Sequence, residues 1–440
     1  MAGRVAPGLS VARACAYAYL GLLAGVNRAG ADPGRPDFPP RPPLLGWSSW
    51  TSLRLKIDQP TIEAEAAVLA AKLRAHGFRY INLDDGWFRG WDDHGRLQAD
   101  RTKFPDGMAA LGTHLHQLGL KFGVYLTPGL AKGAWSANGL VAGTAIHVRD
   151  IADPSQAGNT KGDAYRIDYA KPGATAYVQS YADLLASWGV DYLKLDFVGP
   201  GGGRVKADNR EDVKAWSAAL QRTGRPIWLE LSNKLSLAHA PIWKTYANGW
   251  RIEGDVEAYG KDGKLTLWSK VAQRFADAPP WAGHAASGAW NDLDSLEIGN
   301  GDRDGLTLDE RRTVITLWSI ECSPLILGSD LRHLDDQDLA LLLNQEVLDV
   351  DQRGRVATPV GPPGQQQVWR ADNADGSSTL ALFNLDLAPA TMTVSASDLG
   401  QPGAFSLRDL WSHEDLGRFT AGYTVVLRAH ACQLLRVTGR

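Results

Sequence analysis

The sequence predicts a (β/α)8 barrel followed by a small C-terminal antiparallel β-sandwich domain. Short apolar runs recur between residues 44 and 328 and are separated by amphipathic segments, the alternation typical of parallel βα units. After about residue 354 the helical pattern ends, and alternating runs separated by turn residues indicate antiparallel strands. The predicted barrel strands also end repeatedly in polar or aromatic residues, as expected where an active site forms. We therefore predict a catalytic barrel over residues 38–354 and a β domain over residues 355–440.

The N-terminal segment has the pattern of a secretory signal peptide. Arg4 and Arg13 precede an apolar run at residues 14–26, and Ala29-Gly30-Ala31 supplies small residues at the spacing of a cleavage site. We expect residues 1–31 to be removed and the mature protein to be secreted or periplasmic. The run is too short to span a bilayer, and no apolar stretch of roughly 18 residues follows it.

The barrel elements follow in order along the chain. Strands are predicted near 44–50, 79–85, 121–127, 190–197, 226–232, 249–255, 285–290 and 323–328. Helices are predicted at 61–75, 108–118, 174–188, 211–221 and 308–321. The long connection at 130–171 shows no obvious helix, and a loop of this length over the open end of a barrel usually shapes specificity.

Composition excludes several classes of partner. The 440 residues carry a formal net charge of −3, so no basic excess exists to bind nucleic acid or an anionic membrane surface. Beyond the signal segment only Cys322 and Cys432 remain, both in apolar contexts that favour buried free thiols over a disulfide. Two cysteines at this spacing do not form a cysteine-based zinc site.

Residues 191–197 are the strongest functional signal. Alternation places Tyr192, Lys194 and Asp196 on one side of the strand and apolar residues on the other. Pointing a cation and a carboxylate into the interior has a large desolvation cost, which a functional site usually explains. A buried structural ion pair is the alternative.

Asp196 and Asp255 lie on predicted strands 4 and 6, near their carboxyl ends, and are the candidate catalytic pair. Strands two apart lie about 9–10 Å from each other, and each aspartate reaches inward by about 2.5 Å. Roughly 5 Å then remains between the carboxyl groups, the separation that retaining glycosidases use and inverting enzymes exceed.

Other polar residues at the strand ends suit a sugar. Asp84 and Asp85 offer four acceptor oxygens to hydroxyl groups, although a solvated turn is the alternative. Lys194 can donate to hydroxyls and keep Asp196 ionised. Arg251 lies near Asp255 in sequence, and a structural salt bridge is its alternative role.

Two other classes are disfavoured. Residues 300–305 have the composition of a calcium loop, but the glutamate falls one residue early at Glu310, so we expect a solvated acidic loop and no metal. The predicted strand ends carry no histidines, which argues against a metal-dependent hydrolase. A non-catalytic sugar-binding barrel is disfavoured because Asp196 and Asp255 are both present.

Several ordered motifs give the chain a resemblance to glycoside hydrolase family 27, the α-galactosidases and α-N-acetylgalactosaminidases. Those of the barrel are Leu45-Gly46-Trp47-Ser48-Ser49-Trp50, Leu83-Asp84-Asp85-Gly86-Trp87, Asp191 to Asp196, Trp250-Arg251 with Asp255, and Trp290-Asn291-Asp292-Leu293-Asp294. Residues 95–100, 104–108 and 407–411 resemble further segments of the family. The resemblance covers essentially the whole mature chain.

The resemblance implies a retaining, exo-acting α-galactosidase without a cofactor or metal. Asp196 would be the nucleophile and Asp255 the general acid/base. The implied substrate contacts are Asp84 and Asp85 to O4 and O6, Lys194 to O3 and O4, Arg251 to O2 and O3, Glu230 to the 2-hydroxyl, and Trp50 and Tyr125 as walls. Asp294 would line the same pocket. An anionic Glu230 should disfavour a 2-acetamido group, so galactose is preferred.

The chain departs from the family's usual pattern at two cysteines. Eukaryotic members usually carry cysteine after the paired aspartates and two residues past the nucleophile, where this chain has Gly86 and Val198. The long 130–171 loop resembles those of bacterial branches that include β-L-arabinopyranosidases and isomaltodextran-cleaving enzymes, and both specificities stay open as alternatives.

Overall fold

The computed structural model describes residues 41–400 and 403–439. The expected signal peptide at residues 1–31 lies outside the described residues. Within them, residues 45–352 form the barrel with its covering helices, and residues 358–439 form a separate set of antiparallel strands.

The barrel confirms the predicted fold class. Its eight parallel strands, β1 to β8, are Leu45–Ser48, Tyr80–Leu83, Lys121–Leu126, Tyr192–Leu195, Trp228–Leu231, Gly249–Arg251, Trp290–Asp292 and Leu325–Leu327. They neighbour one another in sequence order, and β8 pairs with β1 through Leu45 and Leu325. The chain just after β7 completes the circle, since Leu296 forms a parallel bridge with Leu327. Consecutive right-handed βα units give this arrangement.

A helix follows each strand and covers the outside of the barrel. The helices α1 to α9 are Gln59–Val68, Met108–Gln117, Ala174–Ser187, Arg210–Arg222, Ala240–Tyr246, Trp268–Asp277, Leu308–Ile320, Asp336–Leu342 and Gln345–Gln352. Polar caps begin several of them. In α7, Thr307 and Glu310 form a reciprocal capping box that satisfies two free backbone N–H groups.

Strand β4 has the two faces that its alternation predicts. Leu193 and Leu195 are fully buried in the apolar core. Tyr192 and Lys194 instead line a cavity inside the barrel. The strand therefore brings a charged face to the centre of the barrel while its apolar face packs the core.

Two predicted elements were wrong. The seventh strand lies at Trp290–Asp292 and not at 285–290, because Ala286 and Ala289 close a tight turn in which Gly288 has φ +81°. The 130–171 connection was predicted without a helix, yet it contains the helix Lys132–Ala137 and a three-stranded sheet of Leu130–Ala131, Ala152–Ala157 and Ala164–Ile167. Both features have short or interrupted apolar patterns, so the periodicity of the sequence does not predict them.

The C-terminal domain is a β-sandwich. Its strands β9 to β16 are Thr358–Val360, Gln366–Asp372, Ser378–Asn384, Ala390–Ser395, Phe405–Asp409, Glu414–Phe419, Gly422–Leu427 and Cys432–Gly439. Six of them form one sheet in the order β9-β10-β11-β16-β13-β14, and β12 pairs with β15 in the second layer. Every residue of β11 is buried.

The domain packs on the barrel through the outer face of its larger sheet. Phe383 of β11 lies 4.8 Å, centroid to centroid, from Phe275 of α6. Trp369 of β10 also contacts Phe275, and all three rings belong to the core cluster of the barrel. Both faces of β11 are therefore covered, one by the barrel and one by the second layer, which explains its continuous burial.

The prediction of free thiols is confirmed, with one difference. Neither Cys322 nor Cys432 forms a disulfide; Cys322 is buried, and Cys432 is partly buried beside the hydroxyl of Thr316 at 3.3 Å. Among the residues described, no helix is long and apolar enough to span a membrane.

The acidic loop at residues 300–305 is only partly solvated, since Asp302 and Arg303 are exposed and Asp304 is buried. Asp304 is fully buried and accepts hydrogen bonds from the backbone N–H groups of Gly299 and Asn300 at 3.0 and 2.9 Å. Arg311 lies 3.7 Å from its carboxylate. Asp304 thus stabilises the turn from inside. Within the described part of the chain no cluster is arranged to hold a metal ion.

Candidate active site

A cavity of about 450 Å³ opens at the carboxyl ends of the barrel strands. All ten residues predicted from the sequence to form the site line it. They are Trp50, Asp84, Asp85, Tyr125, Lys194, Asp196, Glu230, Arg251, Asp255 and Asp294. The parallel strands converge on this end of the barrel, so residues far apart in sequence share one pocket.

Asp196 and Lys194 form the centre of the pocket. The ammonium group of Lys194 donates to Asp84 Oδ2 at 2.8 Å and lies 4.0 Å from Asp196 Oδ2. Burial raises the pKa of Asp196 above its usual range, while Lys194 opposes this and Asp84 and Asp255 add to it. Lys194 is therefore the group that favours the ionised form of Asp196.

Asp196 is also held by the backbone that follows it. Phe197 adopts a left-handed conformation with φ +56°, which is uncommon for a non-glycine residue. In this conformation the Phe197 N–H donates to Asp196 Oδ1 at 2.7 Å. The local backbone thus orients one carboxylate oxygen and leaves the other toward Lys194.

Asp85 pairs with a lysine from the long connection. Lys161 Nζ lies 3.7 Å from Asp85 Oδ2 and 3.0 Å from Asp163 Oδ2, with its ammonium 5.6 Å from the ring centroid of Phe197. Burial raises the pKa of Asp85, and Lys161 acts against this effect. The long connection therefore brings a cation to the wall of the pocket that the paired aspartates form.

Asp255 lies four residues beyond the end of β6, in a loop, and not on the strand as predicted. Arg251, the last residue of β6, donates from Nη2 to Asp255 Oδ1 at 2.9 Å and from Nη1 to Asp294 Oδ1 at 2.7 Å. Burial would raise the pKa of Asp255, but Arg251 and Tyr259 outweigh it and hold the pKa well below its usual range. Asp255 is therefore ionised in the free protein.

Glu230 faces a second buried carboxyl group, Asp292. Trp228 Nε1 donates to Glu230 Oε2 at 2.8 Å, whereas the buried Oε1 has no partner among the described residues. Burial and then Asp292 raise the pKa of Glu230 well above its usual range. Burial beside Asp292 thus favours the protonated form of Glu230, and a protonated carboxyl group can donate as well as accept hydrogen bonds.

Trp50 and Tyr125, the two aromatic walls predicted from the sequence, both line the pocket. Trp50 donates from its indole nitrogen to Glu257 Oε1 at 3.1 Å. Tyr125 on β3 is buried, and its hydroxyl has no partner among the described residues. An apolar ring face beside unpaired polar atoms suits a ligand with hydroxyl groups on one side and C–H bonds on the other.

Backbone hydrogen bonds join the loops that follow β3 and β4. The Thr160 N–H donates to the carbonyl of Phe197 at 2.8 Å, and the Arg204 N–H donates to the carbonyl of Thr160 at 2.9 Å. The loops after β3 and β4 are thereby fixed to each other without a covalent link.

Sequence reasoning missed several lining residues, notably Lys161, Arg204, Glu257, Tyr259 and Asp292. Most lie in loops, where no periodicity indicates which way a side chain points. Asp292 had a detectable signal, because it belongs to the motif Trp290-Asn291-Asp292-Leu293-Asp294 and stands two residues before Asp294.

The barrel and its pocket together define a glycoside hydrolase. A carboxylate backed by a buried lysine and a second carboxylate near the opening supply the two groups that glycosidic cleavage requires. The unpaired hydroxyl and carboxyl oxygens supply partners for sugar hydroxyl groups.

The chain belongs to the alpha-galactosidase A family, within glycoside hydrolase family 27. The family model described as Alpha galactosidase A matches residues 43–149 and 162–353, and the Alpha galactosidase C-terminal beta sandwich domain matches residues 363–437. The interruption at 150–161 falls in the long connection that carries Lys161.

Known relatives agree with this family. The chain is 31% identical over 422 residues to an alpha-galactosidase of Cyamopsis tetragonoloba, covering 94% of this chain and 90% of that protein. A family 27 β-L-arabinopyranosidase of Geobacillus stearothermophilus is similar in structure, with a TM-score of 0.84, 31% identity and coverage of 90% and 96%. Alpha-galactosidase I of Mortierella vinacea gives a TM-score of 0.72, 27% identity and coverage of 90% and 97%.

Replacing Lys161 should change the pH dependence of substrate binding. Lys161 lowers the pKa of Asp85, whereas burial raises it. Lys161→Met should therefore raise the pKa of Asp85. As the pH falls, Asp85 would then lose its ionised, hydrogen-bond-accepting form at a higher pH than in the wild type. We expect the acidic limb of kcat/KM to move up by roughly half to one pH unit. Steady-state kinetics from about pH 3.5 to 7 measure the limb.

Lys214→Met is the matched control. Lys214 pairs with Glu211 at 2.8 Å on the outer helix α4 and lines no part of the cavity. Its replacement should leave the profile unchanged. An unmoved acidic limb in Lys161→Met would show that this lysine has no effect on the ionisation of the pocket.

Proposed function

We propose that this glycoside hydrolase is a retaining, exo-acting α-galactosidase that removes terminal α-D-galactosyl residues from oligosaccharides. The observation that carries the proposal is the buried group of Lys194, Asp84 and Asp196. It combines an attacking carboxylate with acceptors for sugar hydroxyls at the buried centre of the pocket. A cavity of about 450 Å³ within the end of the barrel suits the terminal sugar of a chain, which favours exo-action.

In the first step Asp196 attacks the anomeric carbon. The electron pair of the C1–O bond passes to the glycosidic oxygen. That oxygen takes a proton from Asp255, which is ionised in the free protein and takes up this proton from solvent in the substrate complex, and the aglycone leaves as an alcohol. In the second step Asp255, now ionised, takes a proton from water, whose oxygen attacks the anomeric carbon and releases Asp196. Two inversions retain the configuration of the sugar.

The remaining lining residues bind the glycone in this proposal. Asp84 and Asp85 accept from O4 and O6, while Lys194 donates on the O3 and O4 side. Glu230, with its unpaired Oε1 beside Asp292, meets the 2-hydroxyl. A 2-acetamido group requires more space at this position, which supports galactose over N-acetylgalactosamine.

A second specificity, for β-L-arabinopyranosides, has an observation in its favour. The structural likeness to the Geobacillus stearothermophilus enzyme, at a TM-score of 0.84, exceeds that to the Mortierella vinacea enzyme, at 0.72. L-Arabinopyranose has the ring stereochemistry of galactose but no C6 hydroxymethyl group. The choice therefore depends on the space and acceptors beside Asp84, Asp85 and Lys161.

We also propose that the protein is exported, which is supported by the charge and apolar pattern of residues 1–31. The mature chain should begin at Asp32. The test is expression of the full sequence in a bacterial host, with cell fractionation and N-terminal sequencing of the protein. Retention in the cytoplasm with Met1 intact would contradict export, and an exported protein that begins at Met1 would contradict the cleavage site.

Hydrolysis of four nitrophenyl glycosides tests the glycone. These are α-galactoside, α-N-acetylgalactosaminide, β-L-arabinopyranoside and α-glucoside. We expect turnover concentrated on the α-galactoside, and Asp196→Ala should reduce it to background without lowering the thermal unfolding midpoint. Preference for the arabinopyranoside would replace the proposed glycone while keeping the catalytic pair. Substantial activity in Asp196→Ala would overturn the assignment of the nucleophile.

Asp255→Ala should separate substrates by their leaving groups. A nitrophenolate leaves without protonation, whereas an alkyl or sugar alkoxide requires it. We expect kcat/KM, which reports the first step, to fall roughly 10²–10⁴-fold on alkyl galactosides and much less on activated aryl galactosides. Equal losses for both classes, measured as kcat/KM, would remove the acid/base role.

A further inference from the structure

Tyr259 contacts the carboxylate of Asp255 from the open side of the pocket. Its phenolic hydroxyl donates to Asp255 Oδ2, and its side chain lines the cavity while the residue is 59% exposed. Tyr259 has φ +52°, in the left-handed region that a bulky residue rarely adopts. The backbone at this position thus adopts an unfavourable conformation that turns the ring toward Asp255.

Arg54 supports the ring of Tyr259 from the opposite side. Its guanidinium carbon lies 4.8 Å from the Tyr259 ring centroid and 5.1 Å from that of Trp50. The guanidinium also forms an ion pair with the buried carboxylate of Glu257. Cation–π contact on two rings and an ion pair with Glu257 hold Arg54 and give Tyr259 a fixed support.

Both oxygens of Asp255 are occupied in the free protein, and they differ in how readily they can be released. Oδ1 accepts from Arg251, which is buried and also bound to Asp294 and the carbonyl of Glu253. Oδ2 accepts from the exposed Tyr259. A carboxyl group that transfers a proton to a glycosidic oxygen needs a free oxygen, and Oδ2 is the one whose partner can move.

We propose that Tyr259 is a positioning residue for Asp255. Its hydroxyl holds the carboxylate oriented and ionised in the free enzyme, and the leaving-group side of the substrate displaces it from Oδ2. This inference rests on the proposed function, because it assumes that Asp255 is the acid/base. Tyr259 acts through Asp255 and has no proton-transfer step of its own.

The surroundings of Asp255 predict the sign of the effect on pH dependence. The charged groups that face it from the neighbouring strands, its own loop and helix α6 are Lys194, Asp196, Arg251, Glu257, Lys270 and Asp294. None of them changes in Tyr259→Phe. Loss of one hydrogen bond to the ionised form should therefore raise the pKa of Asp255.

The test is the pH profile of Tyr259→Phe on whichever nitrophenyl glycoside the wild type hydrolyses. The acid step requires protonated Asp255, so the alkaline limb of kcat/KM should move up by about one pH unit. Hydrolysis of the glycosyl-enzyme requires ionised Asp255. The acidic limb of the pH profile for this second step should therefore also move to higher pH. Tyr423→Phe is the control, since its hydroxyl donates to Gln433 in the β domain at 3.0 Å.

A ¹³C-carboxyl NMR titration of Asp255, assigned by its loss in Asp255→Asn, separates this inference from the proposed function. We expect the Asp255 pKa to be higher in Tyr259→Phe than in the wild type, whether or not the glycoside panel is hydrolysed. An unchanged Asp255 pKa, or an alkaline limb within about 0.2 pH units of wild type, would overturn the positioning role. A wild type inactive on every glycoside would instead reject the proposed function alone.

Discussion

The site depends on the buried ammonium group of Lys194. Its hydrogen bond to Asp84 and its 4.0 Å approach to Asp196 place one positive charge between two carboxylates that water scarcely reaches. Burial alone would lower the pKa of Lys194, but Asp84 and Asp196 outweigh it and raise the pKa. Removing the ammonium would leave two desolvated carboxylates without compensation, a state that buried groups avoid by taking up protons.

The same balance between burial and nearby cations explains why the carboxyl groups of the pocket differ in pKa. Arg251 is the second buried cation, and it is bound to Asp255 and Asp294. Asp255 is thereby ionised. No cation among the described residues forms an ion pair with Glu230 or Asp292, and burial raises the pKa of both groups. The distribution of two cations among several acids thus determines which oxygens attack or accept and which can donate, before any substrate enters.

Much of this arrangement could be predicted from the sequence because it depends on the strands. The alternation at Tyr192, Lys194 and Asp196 fixes which side chains face inward, and parallel strands bring their ends together whatever the loops do. Lys161 and Tyr259 could not be predicted, since their orientation follows from loop backbone with no repeating pattern. The misplaced seventh strand has a similar cause: small residues at 285–289 form a turn that looks like an apolar run.

The residues of the pocket that come from strand ends and those that come from loops should also differ in their effect on specificity. In the proposed function, Lys194, Asp84 and Glu230 at the strand ends hold the sugar ring. The loops supply Lys161 beside Asp85 and Tyr259 beside Asp255, which the proposal places next to the ring substituent and the leaving group. Because the loops after β3 and β4 are joined by backbone hydrogen bonds and not by disulfides, their sequence can change without loss of a covalent link. Changes in specificity should therefore arise at Lys161 and its neighbours while the charge balance around Lys194 stays constant.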